Sequence, residues 1–252
     1  MTATTAQPTA PGRTLGATMR RLSGAQKGAQ GAPAYSRFVN RRLGRVLAAL
    51  AFHAGLTPNA VTGVSAVFTA TGIALLALGH PAWWLGPVVT SCLVAGYALD
   101  SADGQLARLR GGGSAAGEWL DHVVDAAKIA SLHLALVVGL YRFQPLGRSG
   151  WLLVPLGFSV VSVVLFFATL LNEALRAQHG APTRATPSAE RPGVLRSLLV
   201  APTDYGVLCL AFLLLGAPAA FIGVYTALFA ATSGYLLLAA VRWFREMGRL
   251  HP

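Results

Sequence analysis

The sequence predicts an all-α integral membrane protein with six transmembrane helices and an amphipathic interfacial helix ahead of the first. Hydrophobic residues make up 54% of the 252 residues and charged residues only 12%, whereas a soluble domain is about 25% charged. The mean hydropathy is +0.55. Six apolar segments recur, each close to the roughly 20 residues that a bilayer requires. This composition excludes a disordered chain, a coiled coil and an ordinary soluble enzyme.

The first part of the chain divides into two segments. Residues 1–34 are rich in Ala, Gly, Thr, Gln and Pro and lack an apolar run, which predicts a disordered cytoplasmic tail. Residues 35–55 predict an amphipathic juxtamembrane helix, since apolar and basic side chains fall on opposite sides. The apolar side has Val39, Leu43, Val46, Leu47 and Leu50, and the basic side has Arg37, Arg41, Arg42 and Arg45. A solvated helix packed on its own domain is the alternative.

The remaining residues, 56–252, predict a six-helix transmembrane domain. Its spans are expected at about 60–79, 84–106, 116–141, 150–176, 197–216 and 219–241. Among the 20 lysines and arginines, only Arg142 and Arg148 fall in links on one side, and Lys128 lies within a span. This asymmetry predicts that both termini are cytoplasmic. The net charge of +11 therefore reflects membrane topology and not a nucleic-acid partner.

Acidic residues crowd into one short stretch. Five of the nine fall there: Asp100, Asp103, Glu118, Asp121 and Asp125. Helical spacing places Asp100 and Asp103 on one face of the second span, and Asp121 and Asp125 on one face of the third. The glycines at 111–113 permit a turn between the spans. We therefore expect four aspartates to converge near one membrane surface.

Four carboxylates in a low-dielectric setting repel one another unless cations neutralise them. Ligation by oxygen alone suits Mg²⁺ or Mn²⁺, and two such ions could bridge the carboxylates and a diphosphate. Gly104, Ala107 and Gly117 share these faces and leave room for a ligand near the backbone. Close helix packing is the other explanation for small residues in a membrane protein.

These residues form a recognisable motif. It is similar to the signature of the CDP-alcohol phosphatidyltransferase family at all eight fixed positions: Asp100, Asp103, Gly104, Ala107, Arg108, Gly117, Asp121 and Asp125. The upstream run at 56–62 also resembles the Pro-Asn-x-x-Thr start of the family's first span. The resemblance covers about residues 35–240 and implies transfer of a phosphatidyl or similar group from a CDP-linked lipid donor to an alcohol, with release of CMP, in phospholipid biosynthesis.

The resemblance also implies roles for individual residues. Asp100, Asp103, Asp121 and Asp125 are expected to bind two ions of Mg²⁺ or Mn²⁺, and Asp125 to act as the general base. The residues expected to contact the nucleotide are Asn59, Thr62, Gly104, Ala107, Arg108 and Gly117. The family further implies CDP-diacylglycerol as the donor, a small polar alcohol as the acceptor, and a homodimer among membrane lipids.

The acceptor alcohol is the least determined part of this hypothesis. The run at 107–113 resembles that of the phosphatidylinositol phosphate synthases of actinobacteria, which favours inositol phosphate; glycerol 3-phosphate or another polyol stays open. Basic residues that could contact an acceptor phosphate are Lys128, Arg176, Arg191 and Arg196. Charge balance for Lys128 and snorkelling for Arg176 are the simpler explanations. The histidines His53, His80, His122 and His133 share no spacing and are expected to be structural.

Two other classes of protein fit part of the pattern. An intramembrane prenyltransferase also binds a diphosphate through aspartates and Mg²⁺, but it lacks the Asp-Gly-x2-Ala-Arg arrangement. A cation transporter would also need carboxylates in the membrane, but spread along a pathway through the bilayer. Here the carboxylates cluster near one face. Metal-dependent release of CMP distinguishes the first hypothesis from both alternatives.

Overall fold

The computed structural model describes residues 14–24, 33–80, 82–143, 150–183 and 194–250. Over these ranges the secondary structure is helical and contains no strand, which confirms the predicted all-α membrane fold. The α-helices are α1 (Leu15–Gly24), α2 (Arg41–His53), α3 (Pro58–Leu78), α4 (Leu85–Leu109), α5 (Ala115–Phe143), α6 (Leu153–Gln178), α7 (Val194–Leu199), α8 (Tyr205–Ala211) and α9 (Pro218–Met247). A π-helical turn, Ser36–Asn40, precedes α2.

Five helical segments of the described chain are long and apolar enough to cross a membrane. They are α3, α4, α5, the segment Gly150–Gln178 that contains α6, and α9. The fifth predicted span, at 197–216, contains a shorter apolar helix, Tyr205–Gly216, and is not one continuous helix. That stretch consists of the end of α7, a 3-10 turn at Ala201–Thr203, α8 and a second 3-10 turn at Phe212–Gly216.

Local sequence explains this break. Pro202 lies inside the first 3-10 turn, where its missing N–H cannot continue an α-helix. Asp204 then starts α8 as its N-cap, because its side chain accepts a 3.0 Å hydrogen bond from the Gly206 N–H. A second oxygen of Asp204 accepts a 2.8 Å hydrogen bond from the Ser36 N–H. The average hydropathy of the segment does not reveal these two interruptions.

The short apolar helix Tyr205–Gly216 lies antiparallel to the first half of α4. The ring centroids of Tyr97 and Tyr205 are 5.1 Å apart, the Thr90 hydroxyl donates to the Cys209 carbonyl, and Gly86 lies against the Phe212 carbonyl. The segment therefore carries the chain from one end of the bundle toward the other.

The C-terminal ends of α6 and α9 lie together. Arg176, near the end of α6, donates from Nε to Glu246, near the end of α9, over 2.9 Å. Because α6 and α9 run in the same direction, the chain between them must return through the bundle, and Tyr205–Gly216 is the segment that does so. The fifth predicted apolar segment is therefore present as short helical pieces.

Small residues allow α3 to pack closely against α4 and α5. The Ser65 hydroxyl of α3 donates a 2.8 Å hydrogen bond to the Gly96 carbonyl of α4, and Gly139 of α5 lies against the Leu76 carbonyl of α3. Without a hydrophobic force between helices in lipid, such contacts supply much of the packing energy. They fix α3, α4 and α5 as the unit that holds the acidic motif.

The predicted amphipathic helix corresponds to the π-helical turn and α2. Its small residues, including Gly44 and Ala48, are buried, whereas Val39, Leu43, Val46 and Leu50 are 40–50% exposed. An apolar exposed side is what a helix in the membrane interface would present to lipid.

Part of the predicted disordered tail is helical. Leu15–Gly24 forms α1, in which Thr18 and Leu22 are buried. The Thr18 hydroxyl lies 3.2 Å from Nε2 of His53 at the end of α2. Disorder is therefore not observed at α1, because its apolar side packs on the bundle; residues 1–13 and 25–32 lie outside the described residues.

Candidate active site

Glycine geometry creates the turn that brings α4 and α5 together. Gly111 and Gly112 have φ values of 100° and 130°, a region that side chains with a Cβ rarely enter. The Gly112 N–H donates to the Ala107 carbonyl over 3.0 Å and closes the end of α4. Ser114 then caps α5 by accepting from the Gly117 N–H over 3.1 Å. The predicted turn between the two acidic helices is confirmed.

The turn brings the four motif aspartates into one cluster. Asp100 on α4 is close enough to interact electrostatically with Asp103, Asp121 and Asp125. Asp103 likewise interacts with Asp121 and Asp125 on α5. Four anionic groups from two antiparallel helices therefore share one site at the end of the bundle.

Lys128 lies between two of these carboxylates. Its ammonium group is 2.5 Å from Oδ1 of Asp125 and 3.5 Å from Oδ1 of Asp100. The side chain is only 7% exposed, and Nζ lies 5.1 Å from the ring centroid of Tyr205. A buried cation thus balances part of the negative charge of the cluster.

The N-terminal end of α3 lies beside the two acidic helices and contributes a residue that binds one of the aspartates. Thr57 caps the helix by accepting from the Ala60 N–H over 3.2 Å, and Pro58 occupies its first turn. One turn later, the buried Thr62 hydroxyl donates a 2.5 Å hydrogen bond to Oδ2 of Asp103. A hydroxyl at this position holds the Asp103 carboxylate in one orientation, as outer-sphere groups do at metal sites.

An open cavity of about 690 Å³ lies beside the aspartates, between the start of α3, the end of α4 and the start of α5. It is lined by all six predicted nucleotide contacts and by two of the aspartates: Asn59, Thr62, Gly104, Ala107, Arg108, Gly117, Asp103 and Asp121. Its volume is in the range of small-molecule and cofactor sites.

Two glycines shape the wall of this cavity in different ways. A Cβ at Gly104 would meet only Nη1 of Arg108, at 3.5 Å, and would otherwise project into space. A Cβ at Gly117 would approach Oδ1 of Asn59 to 3.1 Å. The first glycine therefore leaves the backbone of α4 accessible to a ligand, and the second permits α5 to approach α3.

The donor atoms at the cluster suit a divalent cation. Carboxylate oxygens are the ligands that Mg²⁺ and Mn²⁺ prefer, and the position of Lys128 shows that positive charge is accommodated among them. Asp121, His122 and Asp125 each offer a ligand atom, and these three atoms lie within 4.8 Å of one another. The residues present thus fit a metal ion.

His122 is the site residue that sequence analysis did not identify. It lines the large cavity, and its buried Nδ1 has no hydrogen-bond partner among the residues that the structure describes. Its position beside Asp121 was the available signal. By contrast, His133 is buried and bonds to Tyr225 and Ser162, as expected of a structural histidine.

The predicted acceptor residues are not brought together. Lys128 is paired with Asp100 and Asp125. Arg176 forms 2.7 Å ion pairs with Glu173 and Glu246 and lies outside the large cavity. Arg191 lies outside the described residues, and the side chain of Arg196, on α7, is not described.

Comparison with known families identifies the class of protein that this fold and site define. A sequence model of the CDP-alcohol phosphatidyltransferase family matches residues 55–244. The chain belongs to this family, and it is a phosphotransferase for substituted phosphate groups. Family members transfer a phosphatidyl group from a CDP-alcohol to an acceptor alcohol and are generally dependent on a divalent metal. Among curated proteins, none matches this chain.

Family membership decides between the three hypotheses drawn from the sequence. It favours the transferase over the prenyltransferase and the cation transporter. The match includes α3 to α8 and nearly all of α9, and thus every aspartate of the cluster, but begins after α2. The N-terminal helices α1 and α2 lie outside the matched residues.

Proposed function

We propose that this protein transfers the phosphatidyl group of CDP-diacylglycerol to the hydroxyl of a small polar alcohol and releases CMP. The observation that carries the proposal is the position of the 690 Å³ cavity. A ligand in this cavity would lie between a wall of small residues and the carboxylates of Asp103 and Asp121. A nucleotide on that wall would have its diphosphate beside the cluster.

In this proposal, Asp100, Asp103, Asp121 and Asp125 hold two ions of Mg²⁺ or Mn²⁺. When bound, such ions would neutralise the diphosphate and stabilise the departing CMP. Thr62 keeps Asp103 oriented through its 2.5 Å hydrogen bond. Lys128 keeps Asp100 and Asp125 partly neutralised, which limits the repulsion within the cluster.

The nucleotide is assigned to the wall formed by α3, α4 and α5. Asn59 and Thr62 provide polar contacts, whereas Gly104, Ala107 and Gly117 allow the cytidine to approach the backbone. Arg108 is exposed beside Gly104 at the rim of the cavity, where a guanidinium group could contact a phosphate.

Asp125 is the proposed general base. It accepts the proton of the acceptor hydroxyl as the acceptor oxygen bonds to the phosphorus that carries the diacylglycerol. The bond between that phosphorus and the oxygen of CMP breaks, so CMP leaves with the electron pair. Proton transfer of this kind typically contributes about 10²–10⁴-fold to the rate.

A second cavity supports a lipid substrate. It is almost wholly apolar, has a volume of about 570 Å³, and lies between α3 and α5. Small residues of both helices line it, among them Ala70, Ala74 and Ala127, and Lys128 also lines it. Lys128 pairs with Asp125, so this groove and the cluster share a residue. An acyl chain of the donor in this groove would place the diphosphate near the aspartates.

Inositol phosphate is the first choice of acceptor, with glycerol 3-phosphate or another polyol as the alternative. Lys128 is the predicted acceptor contact that lies at the cluster. The proposal places both termini and the site on the cytoplasmic side of the cell membrane, on the distribution of basic residues. It includes the homodimer that the family resemblance implies.

The test is release of CMP by the purified full-length protein with CDP-diacylglycerol and Mn²⁺ or Mg²⁺. The acceptor panel contains inositol 1-phosphate, inositol, glycerol 3-phosphate and serine. We expect CMP release that depends on one acceptor and stops with EDTA. A folded protein that neither binds a CDP-linked nucleotide nor releases CMP with any acceptor would refute the proposal.

A further inference from the structure

His122 occupies a position that the four-aspartate description of the site does not explain. Glu118, Asp121, His122 and Asp125 fall at i, i+3, i+4 and i+7 on α5, so all four share one side of the helix. The imidazole offers a nitrogen within 4.8 Å of the ligand oxygens of Asp121 and Asp125.

The two ring nitrogens of His122 have different surroundings. Nδ1 is buried and has no hydrogen-bond partner within the described part of the chain, and a buried polar atom without a partner is costly. Nε2 lies 3.9 Å from Oε1 of Glu118, which is 77% exposed. The His122 side chain is 39% exposed, and Nδ1 is its nitrogen without a partner among the described residues.

The neighbouring helix limits how far the ring can move. Phe166 of α6 presents its ring to that of His122 at a centroid distance of 6.4 Å and an interplanar angle of 69°. His122 therefore lies between an aromatic residue on one side and the aspartates on the other, and also lines the cavity assigned to the nucleotide.

We infer that His122 is a metal ligand, which binds through Nδ1 beside Asp121 and Asp125 and makes one cation site a mixed nitrogen and oxygen site. The inference rests on the proposed function only for the presence of a divalent cation. It predicts a metal preference, because imidazole nitrogen binds Mn²⁺ and later divalent metals better than it binds Mg²⁺. The site should therefore select Mn²⁺ over Mg²⁺ more strongly than carboxylates alone would.

Pulsed electron paramagnetic resonance of the Mn²⁺-loaded, full-length protein tests this directly. We expect nuclear modulation from a ¹⁴N nucleus at the bound Mn²⁺, and its replacement by ¹⁵N modulation when the protein contains ¹⁵N-labelled histidine. Since this comparison uses the unmutated protein, it does not depend on whether a variant folds. Bound Mn²⁺ without any histidine nitrogen coupling would overturn the inference.

Variants assign the coupling to one residue. His122→Ala should lose the nitrogen signal and bind Mn²⁺ roughly 10- to 100-fold more weakly, with a smaller loss for Mg²⁺. His179→Ala, at the exposed end of α6, is the matched control and should keep the signal. Coupling that persists in His122→Ala would refute the assignment.

The two proposals fail in different ways. Release of CMP by a protein whose bound Mn²⁺ shows no nitrogen coupling would overturn the role of His122 and leave the proposed transferase intact. Nitrogen coupling that His122→Ala abolishes would support the ligand role even in a protein that releases no CMP with any acceptor.

Discussion

Lys128 forms a 2.5 Å ion pair with Asp125, the residue three positions earlier on α5 that we propose as the general base. The lysine is also 3.5 Å from Asp100 on the facing helix. A single buried cation thus links the two acidic helices at the point where the metal ions are proposed to bind. Loss of the Lys128 ammonium group should therefore change the stability of the metal-free protein more than that of the metal-loaded protein.

Lys128→Met should destabilise the metal-free protein, because Asp100 and Asp125 would lose their buried counter-ion. Breaking a buried ion pair typically costs about 3–5 kcal/mol. Added Mn²⁺ should restore much of this loss, so that the rise in the midpoint of thermal unfolding on Mn²⁺ addition is larger in the variant than in the unmutated protein. Lys128→Arg keeps the charge and is the control. An equal rise in both proteins would contradict this role.

Thr62→Val should weaken metal binding without unfolding the protein. The substitution keeps the shape of the side chain but removes the hydroxyl that orients Asp103. Loss of an outer-sphere partner typically lowers metal affinity about 10- to 100-fold. Titration with Mn²⁺ measures the change. Thr71→Val is the matched control on the same helix, because Thr71 is exposed and donates to the Val67 carbonyl of its own helix. Similar affinities for the two variants would refute the role of Thr62.

Gly104→Val should block the nucleotide while the bundle stays intact. A side chain at Gly104 projects into the large cavity and would meet little besides Arg108. We expect the affinity for CDP-diacylglycerol to fall by about tenfold or more, a loss of roughly 1.4 kcal/mol. Gly63→Val on α3 is the control, since nothing lies within 4 Å of a Cβ there. Unchanged donor affinity in Gly104→Val would place the nucleotide elsewhere.

Local periodicity explains why the convergence of the four aspartates could be predicted from sequence. The spacings of Asp100 and Asp103 and of Asp121 and Asp125 each define one helix face, and the glycines at 111–113 define the turn that joins them. No distant contact is needed to fix these relationships, so the convergence of the aspartates follows from the sequence alone.

Features that depend on tertiary contacts could not be predicted in this way. Pro202 marks the break of the fifth apolar segment in the sequence, but the hydrogen bond that Asp204 accepts from the distant Ser36 N–H does not follow from it. The helix α1 depends on burial of Leu22 against the bundle. The surroundings of His122 depend on Phe166 of another helix. None of these contacts can be inferred from amino-acid composition or from the spacing of residues within one helix.

The surroundings of Arg176, a predicted contact of the acceptor, also depend on a residue distant in the sequence. Arg176 is predicted to contact an acceptor phosphate, which stays a prediction, and the structure shows that it also has two carboxylate partners, Glu173 and Glu246. Glu173 and Glu246 lie 3 and 70 residues away from Arg176 along the chain. A basic residue can therefore be assigned to a substrate only after its partners within the fold are known.

Comparison of Asp125→Asn with the unmutated protein tests the central claim most directly. Both proteins should bind CDP-diacylglycerol, but only the unmutated protein should release CMP in the presence of acceptor and Mn²⁺; we expect the variant to be slower by about 10²–10⁴-fold. Glu173→Gln, paired with Arg176 away from the cavity, is the control and should keep its activity. Equal CMP release by Asp125→Asn and the unmutated protein would contradict the proposed base and the site built around it.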